Sequence, residues 1–353
     1  MVAPNRALSR LLACTLLMTT IAAGLAAAAS PLSPHEDEFA LSPSGTRIHR
    51  DCFHSVAELA SASGGAAPLA RIESDAVAGD RLVFADGTQK LLPPCAHAPL
   101  PRSGRLLQTP PPPPPQDRGS DEASRLNTTY YSNWVAYAGY THPTDDLTTF
   151  TSTWTVPDAP PSPGLLTTVF YFNGVEQQLH NTSAIYQPVL QFGYSGCGGA
   201  FAWTMTAFVV TDAGRAYCGQ MLSVKPGDVV RGNMTRTASV AGSGGGDPWT
   251  ITAEVLSQPQ LPVSHISAVS PVPMRFACLV LEAIRMYACN EYPASSPLVF
   301  RQNHLGLAGG TELLHPPWNI TINHNECAQS VTIGAGPTPD VAISVTAAAA
   351  SEL

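Results

Sequence analysis

The stretch Ile185 to Thr211, IYQPVLQFGYSGCGGAFAWTMTAFVVT, constrains the fold more than any other part of the chain. Val189, Leu190 and Phe192 are strand formers, GYSGCGG supplies glycines for backbone angles that other residues avoid, and Phe201 to Val210 is aromatic and β-branched again. The pattern predicts a β-hairpin. It also carries a polar residue, Gln191, where apolar ones are expected. Taken alone, a glutamine on a strand is ordinarily a solvent-facing member of an alternating pattern.

The same character runs from Tyr130 onward: NWVAYAGY, TTFTSTWTVP, TTVFYFNGV, PVLQFG, FAWTMTAFVV, QMLSVKPGDVVRGNMT, WTITAEVL, MRFACLVLEAI and LVFRQNHL. Gly, Pro, Asn and Asp break these segments, and no long segment has a 3.6-residue period. This predicts an all-β fold, an antiparallel β-sandwich of the concanavalin-like jelly-roll kind. Met274 to Arg285 is compatible with a short helix, since a buried apolar run has no diagnostic period, but its strand-like surroundings favour a strand. Only 12% of residues are charged, so surface polarity rests on Ser, Thr, Asn, Gln and Gly, as suits an exported β-rich protein. A net charge of -8 without a basic patch argues against a nucleic-acid partner.

Five segments follow in order. Residues 1–29 have Arg6 and Arg10, an apolar run from Leu11 to about Ala26 and then AAAAS, the layout of a secretory signal peptide. An uncleaved anchor is the alternative; cleavage is favoured because threonines and alanines make the run a weak span. No later segment is apolar enough to cross a bilayer. Residues 30–100 form a small module, either a pro-segment covering a cleft or a structural appendage. Residues 101–124 contain TPPPPPP, a stiff linker exposed to proteolysis. Residues 125–330 hold the sandwich, and residues 331–353 form an alanine-rich tail expected to lack order. The expected location is extracellular and the expected state monomeric.

Eight cysteines are present, of which Cys14 leaves with the signal. Export makes disulfides the expectation, and proximity pairs Cys52 with Cys95, Cys197 with Cys218 and Cys278 with Cys289, leaving Cys327 unpaired or joined to another chain. Asn127, Asn181, Asn233 and Asn319 are each followed by Thr or Ser two positions on, as in glycosylation sites.

Familiar catalytic constellations are missing: no G-x-S-x-G, no H-E-x-x-H, no P-loop and no dinucleotide fingerprint. His315, His324 and Cys327 match no strong zinc spacing, so no metal or other cofactor is expected. Glu282, in CLVLEAI, interrupts an apolar run, and burying it unpaired would cost several kcal/mol or oblige it to hold a proton. Two explanations stand: it points outward or pairs with Arg275 or Arg285, or it is a poised acid or base in a cleft.

The ordered segments SNWVAYAGY, FTSTWTVP, VFYFNGVE, PVLQFG, FAWTMT, LSVKPGDVV and ACLVLEA followed by PLVF resemble those of the glutamic peptidases called eqolisins, secreted acid proteases built as β-sandwiches. The resemblance covers about Ser132 to Phe300. It places Gln191 on the catalytic glutamine and Glu282 on the catalytic glutamate. It further places Trp203 on a tryptophan of the cleft strand, Gly174 on a glycine and Glu176 on an acidic residue. Phe172 replaces a tryptophan, while Met205 and Ala207 stand where that family has an acidic residue and an aromatic, so the substrate-contacting wall is altered. The resemblance implies peptide-bond hydrolysis in which Glu282 takes a proton from water and returns it to the leaving amine, while the Gln191 amide steadies the oxyanion. A polypeptide would be the partner. The other reading is a non-catalytic binding module whose tryptophans Trp134, Trp154 and Trp203 stack on an extracellular glycan.

Overall fold

The computed structural model describes residues 39–42, 47–62, 67–96, 131–177, 184–237, 246–293, 297–336 and 338–346. The expected signal segment, the proline-rich linker, Asn127 and Asn181 lie outside these residues. Apart from Phe39, the described residues belong to one compact unit, Ala40–Leu353, which holds the sheets.

The protein is all-β, as the sequence predicts. The N-terminal part supplies β1 (Phe39–Leu41), β2 (Arg47–His49), β3 (Phe53–Ser55), a short helix α1 (Val56–Ala62), β4 (Leu69–Asp75), β5 (Gly79–Phe84) and β6 (Gln89–Leu92). The body contains β7 (Tyr131–Thr141), β8 (Leu147–Thr155), β9 (Thr168–Glu176), β10 (Ile185–Ser195), β11 (Gly198–Val210), β12 (Ala216–Cys218), β13 (Leu222–Ser223) and β14 (Val229–Arg236). After these come β15 (Asp247–Val255), β16 (Ser264–Ser270), β17 (Phe276–Met286), β18 (Leu298–Leu307), β19 (Glu312–Leu313), β20 (Asn319–Ile322), β21 (Ser330–Ile333) and β22 (Val341–Ser344).

Two sheets make the sandwich. The first runs β20-β7-β17-β9-β10-β11-β12-β3, with β13 beside β11; the second runs β21-β22-β18-β8-β14-β15-β16-β4-β5-β6, with β19 beside β18. Pairing within the body is antiparallel, and the two parallel pairs, β12 with β3 and β16 with β4, are where N-terminal strands join the sheets. Residues 53–92 thus extend both sheets at one end of the sandwich. The run Met274 to Arg285 is strand, with β17 paired to β7 and β9 over most of its length.

The main core lies between the sheets, where Tyr171, Leu190, Trp203, Met205 and Leu281 of the first meet Phe150, Trp154, Met234 and Trp249 of the second. A second apolar cluster covers the other face of the first sheet. Phe170, Phe172, Val189, Phe208, Val280 and Ile284 pack there with Ala40, Ile48, Cys52 and Phe53 from the N-terminal part. This explains why β9, β10 and most of β17 read as nearly continuous apolar runs: both of their faces are buried. β15 has one buried face and alternates instead.

Cys52 pairs with Cys95 and Cys197 with Cys218, as expected from proximity. The third expectation is corrected: Cys289 pairs with Cys327, and Cys278 keeps a buried thiol near the Gly174 carbonyl at 3.6 Å. Strand geometry is the cause. Eight extended residues from Cys278 to Met286 carry the chain about 27 Å, far beyond the ~7 Å Cα separation a disulfide tolerates. The tail is corrected in part as well: SVTI and VAIS form β21 and β22, and β22 pairs with β18 so that Val331, Val341 and Ile343 are buried. Residues 347–353, with most of the alanines, lie outside the described residues.

Candidate functional site

β10, β9 and β17 lie side by side in the first sheet, and their register decides which side chains meet. Gln191 stands opposite Phe170 of β9, and Glu282 of β17 stands opposite the same Phe170. Directly opposed residues of antiparallel strands project to the same face, so Gln191 and Glu282 share one face two strands apart, about 10 Å from backbone to backbone. The row continues outward through Trp134 beyond Glu282 and Thr204 beyond Gln191. The face is the one lined by the second apolar cluster.

Both residues lie next to irregularities in pairing. The register of β10 against β11 shifts between Phe192 and Gly193, and that of β17 against β7 shifts at Leu281/Glu282 and again at Ile284/Met286, where Arg285 takes a positive φ of 53°. Such bulges re-aim neighbouring side chains and are common beside active sites. Gly193 is required at its bulge: its φ is +97°, and a Cβ there would run into the Thr167 carbonyl.

Gln191 is 3% exposed, and its Nε2 donates to the carbonyls of Gly193 at 2.8 Å and Gly198 at 2.9 Å. Both amide hydrogens therefore serve the turn of their own hairpin. Glu282 is 0% exposed, which removes the outward-pointing explanation, and Arg275 is committed to Asp146, with Nε 2.9 Å from Oδ1. A carboxyl and an amide thus share a covered, largely apolar face, arranged so that one could move protons and the other donate hydrogen bonds.

The other expected site residues separate by strand alternation. Phe172, Gly174 and Glu176 follow Phe170 at every second position of β9 and share its face. Trp203 does not. It stands opposite Phe192 and packs between the sheets against Phe192 and Tyr171, with ring centroids at 5.3 and 6.2 Å. Thr204, its neighbour, takes the place opposite Gln191, so the tryptophan's assignment to the cleft is corrected by one residue of alternation. Trp134, Trp154 and Trp203 are 2%, 1% and 2% exposed, so none is available as the exposed stacking platform that the glycan-binding reading needs.

What covers the site is only half legible in sequence. Phe53 lies against the hairpin turn beside Gln191, so close that a Cβ on Gly196 would clash with its ring. The N-terminal part is anchored by Arg215, whose Nε and Nη2 donate to the Pro93 carbonyl at 3.2 and 2.7 Å and whose Nη1 lies 2.9 Å from His54 Nε2. Asp80 of β5, fully buried, accepts from Thr211 at 2.8 Å and Tyr217 at 2.7 Å. Burial raises the Asp80 carboxyl, opposed by these hydrogen bonds, and lowers His54 to about 4, aided by the Arg215 charge. Among the described residues the disulfides are 52–95, 197–218 and 289–327, and none of them ties the N-terminal part to the body.

Among the described residues no cluster of three or more His, Cys, Asp or Glu is arranged to hold a metal, and Cys327 is spent in its disulfide. Of the described sequons, Asn319 is exposed on β20, whereas the Asn233 amide is half-buried in β14 and held by Thr151 and Thr235. No described helix is long and apolar enough to cross a membrane.

No family model matches the chain, and no curated protein matches it. Among solved structures it is similar to scytalido-glutamic peptidase bound to a peptide-based transition-state analogue, at 18% identity over 62% of this chain and 100% of that one, with a TM-score of 0.43. It is also similar to SCP-B, a member of the eqolisin family of peptidases bound to the tripeptide Ala-Ile-His, at 17% identity, 62% and 100% coverage and a TM-score of 0.43. Likeness at this distance carries no weight for function.

Proposed function

We propose that the chain is the latent form of a secreted acid endopeptidase in which Glu282 and Gln191 act on a water molecule and a peptide carbonyl. One observation carries the reading: an acid and an amide from strands far apart in sequence stand opposite the same residue, Phe170, on the same face. In this reading Glu282 removes a proton from water and later delivers it to the leaving amine, and Gln191 Nε2 turns from the Gly193 and Gly198 carbonyls to the developing oxyanion. The base must be partly ionised while the amine becomes protonated, so the optimum is acidic.

Residues 30–100 act as a pro-segment, of which Ala40, Ile48, Cys52 and Phe53 lie over the face. Their attachment is non-covalent once the linker, residues 101–124, is cut, because their only disulfide, Cys52–Cys95, is internal. Residues 1–29 direct export, and Asn319 is the described sequon best presented for glycosylation.

The test is hydrolysis of a mixed peptide library between pH 3 and 7 by the exported chain, before and after the linker is nicked, alongside Glu282→Gln and Gln191→Ala. Nicking should unmask activity at acid pH. Each substitution should lower turnover on the order of a hundredfold or more, the usual consequence of losing an oxyanion donor or general base. Normal hydrolysis by folded Glu282→Gln would remove the assignment.

A further inference from the structure

Gln187 and Thr206 are buried polar side chains of the covered face that the proposed chemistry leaves without a task. Gln187 is 0% exposed and Thr206 4% exposed, and among the described residues neither the Oε1 and Nε2 of the one nor the Oγ1 of the other has a hydrogen-bond partner. Buried polar groups in folded proteins are nearly always satisfied, so each orphan calls for an explanation. Both lie on the face of Glu282 and Gln191. Gln187 follows the alternation Gln191, Val189, Gln187 along β10, and Thr206 follows Thr204 along β11. Gln187 stands opposite Phe208 and Thr206 opposite Val189, so the two are diagonal neighbours on adjacent strands. Phe172, Ile185, Val189 and Phe208 of this face are apolar and supply no partner, and Glu176, opposite Ile185, makes no hydrogen bond to either group.

We propose that Gln187 and Thr206 hold the main chain of an extended polypeptide substrate beside the Glu282/Gln191 pair, a proposal that rests on the peptidase reading for the identity of the ligand. A primary amide offers a donor and an acceptor side by side, the complement of one peptide unit, and a threonine hydroxyl adds either. Spacing fixes where they act. Thr206 is two residues along its strand from Thr204, which faces Gln191, and Gln187 is four residues from Gln191, distances of about 7 and 13 Å. An extended substrate lying along the strands therefore meets them roughly two and four residues from the bond to be cut.

The experiment uses the full-length chain nicked in the linker with both pieces retained, and compares wild type with Gln187→Met and Thr206→Val, which preserve volume and remove the orphaned groups. Affinity for a fluorescent octapeptide library and for a matched tripeptide is measured in a Glu282→Gln background, and hydrolysis in the active one. Octapeptide affinity should fall about tenfold for Gln187→Met, equivalent to 1.4 kcal/mol, with the loss in KM rather than kcat, the tripeptide unaffected and thermal midpoints equal to or above wild type. Unchanged octapeptide affinity would show a water-filled position only and overturn the proposal, as would failure of the parent to bind any peptide. A lower midpoint in both variants would show that the groups have structural partners, with the same result. Binding that depends on Gln187 in a chain that cuts nothing would uphold this proposal while refuting the hydrolytic one.

Discussion

Acidification should loosen the N-terminal part through one histidine. A guanidinium can only donate hydrogen bonds, so with Arg215 Nη1 at 2.9 Å the His54 Nε2 must accept, and the ring is neutral. Protonation removes the acceptor and sets two cations in contact. His54 lies at about 4 instead of 6.5, chiefly through burial and then through Arg215, while Glu58 pulls the other way and Lys90 adds to the lowering; the Tyr217 ring, 5.5 Å off, lies against it. At about 1.4 kcal/mol per pH unit this gap sets a ceiling of roughly 3.4 kcal/mol. The half-buried ring is screened by solvent, and about 1.5–2 kcal/mol is the working figure. Because the folded value is depressed, the stabilisation is present above pH 6.5 and is lost as the pH falls towards 4. Asp80 has the opposite sign: its raised carboxyl favours the folded state at low pH and loses that contribution as the pH rises through its folded value. His54→Gln isolates the histidine, since its amide oxygen still accepts from Arg215 but does not titrate in this range. Chemical denaturation and limited proteolysis of residues 47–96 at pH 7 and pH 4.5 should show wild type losing about 1–2 kcal/mol more than His54→Gln. Equal losses in the two proteins would refute the reasoning.

Two further outcomes are expected. Gly199→Ala should cost about 2–4 kcal/mol and displace the Gln191 amide, because Gly199 has a φ of +139° and a Cβ there would fall on the Gly193 carbonyl and on Gln191 Nε2; an unchanged thermal midpoint contradicts this. Non-reducing peptide mapping should recover a Cys289–Cys327 cross-link, and Cys289→Ser should lower stability by up to roughly 4 kcal/mol for its 38-residue loop; a Cys278–Cys289 cross-link would contradict the strand geometry.

Short-range pattern carries part of this fold and leaves the rest to pairing. The β-character, the hairpin around Gln191 and the anomaly of Glu282 are all visible locally, because strand propensity, glycine turns and a polar residue in an apolar run are properties of neighbours in the chain. The strand β16 is not legible, since SHISAVS has few large apolar residues and is held by β15 and β4 on either side. The tail strands are hidden by the alanines that dominate the composition around them. Trp203 falls on the face opposite to the one expected because the side of a strand depends on register, and a slip of one residue reverses it.

The sequence by itself determined that this chain is an all-β protein with an acid and an amide set into apolar strands, since those facts reside in the order of side chains. Only the tertiary structure decided that Gln191 and Glu282 look out from one face across Phe170, that Phe53 and its neighbours lie over that face, and that Cys289 finds Cys327. Each of these depends on pairing between segments far apart in the chain, where register and packing fix which side chains meet.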